Sequence, residues 1–284
     1  MNHIDIAPAI QINVAAALAE DIGSGDLTAL LIPAECCARA KLISREDAVL
    51  CGIPWFEACF KALDPRVQIT WLAKEGERID ANATLCEING NARAILSAER
   101  PALNFLQLLS GTASAARRYV DAIAGTSAVI MDTRKTLPGL RVAQKYAVKI
   151  GGGANQRVGL FDGILIKENH IAAAGSIAAA LRAAHQAAPA DVSIQIEVES
   201  LAQLQEALDA GAKLILLDNF NIDQLRAAVR INATRAALEA SGGVDFDTVR
   251  AIAETGVDRI SIGALTKHVQ AVDLSLRIHA KREV

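Results

Sequence analysis

Six short aliphatic runs in the second half of the chain, each closed by polar or glycine-bearing residues, restrict the fold more than any other feature. They are Val129-Ile130-Met131, Ile164-Leu165-Ile166, Ile194-Gln195-Ile196, Leu214-Ile215-Leu216-Leu217, Ala236-Ala237-Leu238 and Ile260-Ser261-Ile262. Runs of this length suit strands buried on both faces, and helix-like segments lie between several of them, the texture of a parallel βα array. Residues 200–210 open on a capping box (Ser200, Gln203) and end at Gly211, and residues 247–255 end at Gly256. The stretches 206–218 and 251–263 match at an offset of 45, with Gly211 over Gly256. The six runs lead into Asp132-Thr133-Arg134-Lys135, Lys167-Glu168-Asn169-His170, Glu197-Val198-Glu199, Asp218-Asn219, Glu239-Ala240-Ser241 and Gly263-Ala264-Leu265-Thr266. Polar residues at the carboxyl ends of successive parallel strands mark the mouth of an α/β barrel, where active sites form. A doubly wound open sheet would gather them near one switch point instead. Six such ends favour the barrel.

The first 110 residues read differently. An amphipathic helix is expected over residues 8–21, broken by Gly23-Ser24-Gly25-Asp26. Strands follow at 38–43, 48–51, 67–72 and 84–88, separated by turns such as Asp64-Pro65. A second helix is expected over residues 101–109, with Pro101 at its first position and Gly111 just past its end. This part of the chain is an α+β sandwich on that reading. Hydrophobic residues make up 52% of the chain and aromatic ones 4%, a composition suited to aliphatic strands under alanine-rich helices. No apolar run approaches the roughly 20 residues of a membrane span, and Met1 to Pro8 lack the pattern of a signal peptide. A cytoplasmic protein that binds no membrane is expected. The five cysteines show no metal spacing and read as reduced thiols.

A net charge of −3 argues against a general nucleic-acid binder, but its distribution says more. Residues 132–168 hold seven basic residues against three acids, a local +4 that leaves the rest of the chain at −7. A cationic patch in an acidic protein points to a small anionic ligand. Arg134, Lys135, Arg157 and Lys167 stand at or near strand ends, where arginine forks can grip carboxylates and lysines can meet phosphates. Lys145 and Lys149, at helical spacing, fit a solvated face better. Gly151-Gly152-Gly153 is neither a dinucleotide fingerprint nor a Walker loop. Ser241-Gly242-Gly243 and Gly263-Ala264 follow late strands, where barrels frequently bind phosphate through backbone N–H groups. Glu197, Glu199 and Asp218 supply oxygen ligands suited to Mg²⁺ shared with substrate phosphates, or ion pairs with Lys135 and Lys167. The two can coexist in an unliganded enzyme. His170 lies beside the rim, and no nucleophilic triad order emerges.

Six runs resemble those of the quinolinate phosphoribosyltransferase family: Met131-Asp132-Thr133-Arg134-Lys135-Thr136-Leu137-Pro138-Gly139-Leu140-Arg141, Lys145-Tyr146-Ala147-Val148, Gly151-Gly152-Gly153-Ala154-Asn155, Leu165-Ile166-Lys167-Glu168-Asn169-His170, Leu217-Asp218-Asn219-Phe220 and Gly263-Ala264-Leu265-Thr266. The likeness extends through Asp21-Ile22-Gly23-Ser24-Gly25-Asp26-Leu27-Thr28 and Ala98-Glu99-Arg100. It implies an N-terminal α+β open sandwich, residues 1–111, and an incomplete seven-stranded α/β barrel, residues 112–270, of the type II phosphoribosyltransferase kind. A C-terminal helix over 271–284 is expected to return to the sandwich. The implied reaction joins quinolinate to phosphoribosyl pyrophosphate with loss of CO₂, giving nicotinate mononucleotide and pyrophosphate for NAD biosynthesis, with Mg²⁺ and no organic cofactor.

By the same resemblance Arg134, Arg157 and Lys167 hold the quinolinate carboxylates, with Thr133, Gln156 and His170 beside them. Arg100 reaches in from the partner of a homodimer. Lys135, Glu197 and Asp218 face phosphoribosyl pyrophosphate and its Mg²⁺, the metal set being Glu197 and Asp218. Ser241, Gly242, Gly243, Gly263 and Ala264 serve the 5-phosphate. Two departures stand out. Gln156 replaces the family's usual histidine, so weaker quinolinate binding is expected than in a Gln156→His variant. Pro101 replaces a commoner threonine and is expected to redirect Arg100. The nearest enzymatic rival is a phosphoribosyltransferase for a related acid, such as a paralogue tied to molybdenum transport operons, against which the intact run 165–170 weighs. A non-catalytic anion-binding protein is the rival of a different class.

Overall fold

The computed structural model describes residues 5–280. It divides into two compact units: one holds the described residues up to Arg117, Leu137–Gly152 and those from His268, and the other holds Arg118–Thr136 and Gly153–Lys267. In chain order the elements up to the division are α1 (Ala7–Ile22), β1 (Cys37–Ser44), β2 (Ala48–Val49), α2 (Ile53–Leu63), β3 (Gln68–Trp71), β4 (Arg78–Ile79), β5 (Thr84–Asn91) and α3 (Ala92–Ala122). They continue with β6 (Val129–Met131), α4 (Arg141–Ile150), β7 (Gly163–Ile166), α5 (Glu168–Ala174), α6 (Ile177–Ala187), β8 (Ser193–Val198), α7 (Leu201–Asp209) and β9 (Leu214–Asp218). The last are α8 (Ile222–Asn232), β10 (Ala237–Ser241), α9 (Val249–Ala253), β11 (Arg259–Ser261), α10 (Ala264–Lys267) and β12 (Leu274–Ala280).

The first unit is built on an antiparallel sheet in the order β12-β1-β5-β3. In β1, Ala38, Ala40, Leu42 and Ser44 are buried while Cys37, Arg39 and Lys41 face out, the alternation of a sheet with one covered face. Trp55, Phe56 and Phe60 of α2 fill the core against Leu42 and Ile88. The carboxylate of Glu75 accepts from the backbone N–H groups of Gly52 and Ile53, neutralising the first orphan donors of α2.

Three expectations are corrected in this unit. Pro101 and Gly111 do not bound a helix; both lie inside α3. Buried residues recur at helical spacing straight through them (Ile95, Ala98, Ala102, Leu106, Leu109, Ala113, Ala116), and that packing outweighs the one backbone bond the proline forfeits. Gly111 is required for close approach, because a Cβ there would lie 2.1 Å from the carbonyl oxygen of Gln270. The helix expected over 271–284 is a strand from Leu274 to Ala280, paired antiparallel with β1 through Leu276↔Leu42 and Ile278↔Ala40. Apolar residues at 274, 276, 278 and 280 give period two, not 3.6; residues 281–284 lie outside the described residues. Lys145 does not join a solvated face with the exposed Lys149: it has no exposed surface.

In the second unit all six aliphatic runs are strands, hydrogen-bonded in parallel in the order β6-β11-β10-β9-β8-β7. Beyond β6 a seventh position is reduced to a single parallel bridge between Met131 and Ala154. Helices α7 and α9 each end ahead of a left-handed glycine, Gly211 and Gly256, and run on into β9 and β11, as the 45-residue match implied. The box at Ser200 is only half formed. Ser200 Oγ accepts from the N–H of Gln203, but the Gln203 carboxamide accepts from the N–H of Glu199.

Candidate active site

Parallel strands with period-two side chains stack inward-facing residues in layers, and two layers define a cavity of about 250 Å³ at the carboxyl ends. The upper layer is Asp132, Lys167, Glu197, Asp218 and Ser241; two residues back along the strands lie Leu165, Gln195, Leu216, Glu239 and Ser261. Thr133, Arg134, Lys135, Gln156 and Arg157 complete the lining.

Each cation is placed by the backbone beside it. After β6 the chain turns so that Thr133 Oγ1 accepts from the N–H of Lys135, and the Lys135 carbonyl accepts from Thr266 Oγ1. The segment carrying Gln156 and Arg157 is tied to β6 through buried Asp132, which accepts from Asn155 Nδ2 at 2.6 Å and from the N–H of Gln156 at 2.8 Å. Arg157 Nη1 donates to the carbonyl of Gly163 at 2.8 Å. Partial burial, and then the like charge of Arg134, ease proton loss from the Arg157 guanidinium relative to a free arginine, with Asp162 opposing. Two guanidiniums that repel each other at one mouth make a site for a multiply charged anion.

Lys167 Nζ meets both oxygens of Glu197, at 2.7 and 3.1 Å, so the ion-pair reading holds for this lysine. Glu197 is largely buried at the end of β8, whereas Glu199 lies beyond the strand, exposed and outside the cavity lining. Asp218 accepts from Asn219 Nδ2 at 2.8 Å. Asn219 is left-handed and donates its N–H to the carbonyl of Ser241, tying the ends of β9 and β10 together. Gly242 must be glycine: its φ is +95° and a Cβ would sit 2.1 Å from Asn219 Oδ1.

Ser241 lines the cavity, while Gly242, Gly243, Gly263 and Ala264 stand next to it in sequence but outside the lining. Gly263 does lie against the Lys135 side chain, where an added Cβ would be 2.9 Å from Cδ. His170 is not a lining residue; its Nδ1 accepts from the N–H of Lys167 at the start of α5. Arg100 is an exposed residue of α3 in the first unit and is not part of the lining.

The sequence reading passed over Gln195 and Glu239 as site residues. Because β10 runs to Ser241, Glu239 lies one layer below the rim, with no exposed surface. Its Oε2 accepts from Gln195 Nε2 at 3.0 Å and from Gln156 Nε2. Burial pushes the Glu239 carboxyl above the ordinary carboxylate range, against the pull of those two hydrogen bonds, of the Ser261 hydroxyl and, least, of Arg259. The available signal was the spacing Glu239–Ser241, matching Gln195–Glu197 and Leu216–Asp218. Among the described residues no group of three or more His, Cys, Asp or Glu side chains could hold a metal ion by itself. Two strand-end carboxylates fit a Mg²⁺ that takes its other ligands from phosphates and water.

Fold and site together define an α/β-barrel enzyme for small, multiply anionic substrates. The family model described as quinolinate phosphoribosyl transferase, C-terminal domain, matches residues 112–277, and the corresponding N-terminal domain matches residues 26–110. A nicotinate-nucleotide pyrophosphorylase (carboxylating) of Mycobacterium leprae is 41% identical over 270 residues, covering 92% of this chain and 94% of that protein. The solved nicotinate-nucleotide pyrophosphorylase of Francisella tularensis is 44% identical with a TM-score of 0.93, covering 98% of each chain. That of Ehrlichia chaffeensis is 40% identical with a TM-score of 0.90, covering 95% of this chain and 98% of the other. The chain belongs to the quinolinate phosphoribosyltransferase family.

Proposed function

We propose that this chain transfers the phosphoribosyl group of phosphoribosyl pyrophosphate to quinolinate with loss of CO₂, yielding nicotinate mononucleotide and pyrophosphate. The observation that carries the reading is the mouth itself, where Arg134 and Arg157, whose like charges repel, line a cavity that also holds Lys135 and the Lys167–Glu197 pair. Arg134 and Arg157 grip the two carboxylates of the acid, and Lys167 exchanges Glu197 for substrate when the site fills. Thr133, Gln156 and His170 support that end: Gln156 from the lining, Thr133 by fixing the turn at Lys135, His170 by fixing the start of α5 at Lys167.

Lys135, with Glu197 and Asp218, takes the pyrophosphate end, and Ser241 with the loops at Gly242, Gly243, Gly263 and Ala264 takes the 5-phosphate. Mg²⁺, held by Glu197, Asp218 and the pyrophosphate oxygens, would neutralise part of the leaving charge. As the ribose C1–oxygen bond breaks, its electron pair leaves with pyrophosphate, whose charge Lys135 offsets. The pyridine nitrogen lone pair forms the new bond to C1. The bond between ring C2 and its carboxylate then breaks, CO₂ departs, and the ring carbon takes the electron pair and a proton from water. The residues position and balance charge, without a covalent enzyme intermediate. The catalytic part is residues 112–270, and the chain works as a cytoplasmic homodimer in which Arg100 of each subunit completes the partner's site. No helix of the described residues is long and apolar enough to cross a membrane.

The test is release of CO₂ and pyrophosphate from quinolinate plus phosphoribosyl pyrophosphate, with and without Mg²⁺, with nicotinate as control. Turnover of quinolinate that requires magnesium and is absent with nicotinate is the expected result. Binding of quinolinate without turnover would overturn the reaction and leave an anion-binding protein.

A further inference from the structure

Glu239 forms a hub beneath the acid-binding rim. Its side chain is wholly covered, Oε2 takes the N–H groups of two neutral carboxamides, and Oε1 is buried with no hydrogen-bond partner among the described residues. The charged groups that line the cavity around it are Asp132, Arg134 and Lys135 at and after the end of β6, Arg157, the Lys167–Glu197 pair of β7 and β8, and Asp218 of β9. On β11, the Ser261 hydroxyl reaches the carboxyl as a further hydrogen-bonding neighbour that opposes the effect of burial, and Arg259 exerts the last and smallest of the opposing pulls. A carboxylate without water or a close cation is far costlier to bury than a carboxylic acid.

We propose that Glu239 is a positioning residue of the acid pocket that works as a neutral carboxylic acid, Oε2 holding the carboxamides of Gln156 and Gln195 and Oε1 keeping the proton. The inference rests on the reading that the pocket takes a pyridine dicarboxylate. Oε2 accepts two N–H donors, so Oε1 is the oxygen left for the proton. Gln156 is then fixed at both ends, its backbone N–H by Asp132 and its side chain by Glu239, next to Arg157. A neutral hub anchors this residue without offsetting the positive charge that draws the substrate. An ionised one would set a negative charge directly under the substrate's carboxylates.

The experiment is steady-state kinetics of wild type, Glu239→Gln and Glu239→Ala from acidic to alkaline pH, varying quinolinate and phosphoribosyl pyrophosphate separately. Glu239→Gln copies the neutral acid and is expected to keep the quinolinate KM within about threefold at neutral pH. Glu239→Ala orphans two carboxamides and is expected to raise that KM about tenfold or more, with a smaller change in kcat. In wild type, quinolinate binding weakens as pH rises and Glu239 ionises; this limb is absent in Glu239→Gln. Equal impairment of both variants at neutral pH, or superimposable pH profiles for wild type and Glu239→Gln, would overturn the proposal. Infrared difference spectra of wild type against Glu239→Gln, both with ¹³C-labelled glutamate, provide a second check. A protonated buried carboxyl band at neutral pH is expected, and its absence overturns the assignment. Failure of the wild type to turn over quinolinate would overturn the functional reading instead, while the band would still judge the proton.

Discussion

The rim and the floor of the barrel are made by the same strands, two residues apart, yet they solve opposite problems. At the rim Lys167, Glu197, Asp218 and Ser241 are joined by exposed Arg134 and Lys135. Water and substrate can reach these charges, so they can be exchanged: Lys167 can leave Glu197 when an anion arrives. On the floor Leu165, Gln195, Leu216, Glu239 and Ser261 offer aliphatic surface, carboxamide and hydroxyl groups, and one carboxyl. Here every polar contact has to be made within the protein, because unmet groups stay unmet. The difference teaches that a polar residue on an inward strand position is a ligand or a strut according to its layer.

The sharpest way to break this comparison is to strip the rim. Arg134→Ala combined with Lys167→Ala should lower kcat/KM for quinolinate about 10²- to 10⁴-fold, the loss of two charge-assisted contacts at roughly 1.5–3 kcal/mol each. Thermal stability should fall modestly, since exposed Arg134 costs little but loss of Lys167 leaves the largely buried Glu197 without its ion-pair partner. Activity that survived in the double variant would remove the anion site from the mechanism.

The rim was readable in the sequence because charge after an aliphatic run is a local pattern. Arg134, Lys135, Lys167 and Asp218 needed only the strand ends to be found, and the offset of 45 between two βα units lay in plain view. The floor was not readable, because layer depends on how far a strand runs. The run Ala236–Leu238 looks finished before Glu239, but β10 continues to Ser241. The same limit hid the long α3, in which Pro101 and Gly111 carry the local marks of helix ends while distant packing decides otherwise. Burial of Lys145 is likewise a tertiary fact that the spacing to Lys149 could not convey.

A second test separates two functions at the rim. Glu197→Gln keeps the shape at the end of β8 but removes the charge that pairs with Lys167 and that, in the proposed function, would hold Mg²⁺. A fall in kcat of about 10- to 10²-fold is expected, with quinolinate KM changed less and the magnesium requirement shifted to higher concentration. A change confined to quinolinate KM would confine Glu197 to the acid end.

Gly242 probes the join between β9 and β10. In Gly242→Ala the methyl group would meet Asn219 Oδ1 and force a strained φ, so a loss of about 1–3 kcal/mol in chemical denaturation is expected. The KM for phosphoribosyl pyrophosphate should rise more than that for quinolinate. Equal rises would place the loop elsewhere in the site.

Gln156 sits where rim and floor meet. Replacing it with histidine adds a group that can carry positive charge between Arg157 and the Glu239 carboxyl. The expected result is tighter quinolinate binding, about three- to tenfold by calorimetry at neutral pH. Equal affinity would mean that the glutamine already supplies all this position can give.

The smallest expected effect is the most direct measure of the floor's dryness. Burial raises the Glu239 pKa above its unfolded range, so over that interval the folded state binds the proton that the unfolded state has lost. Stability therefore falls as pH rises, from the ordinary glutamate range up through the raised value, and the penalty is complete above it. Glu239→Gln has no such proton, so urea midpoints of wild type minus variant should decline steadily over that window and then level. A difference that stays flat with pH would mean that the unfolded and folded carboxyls titrate alike. The floor would then be wet enough to count as part of the rim.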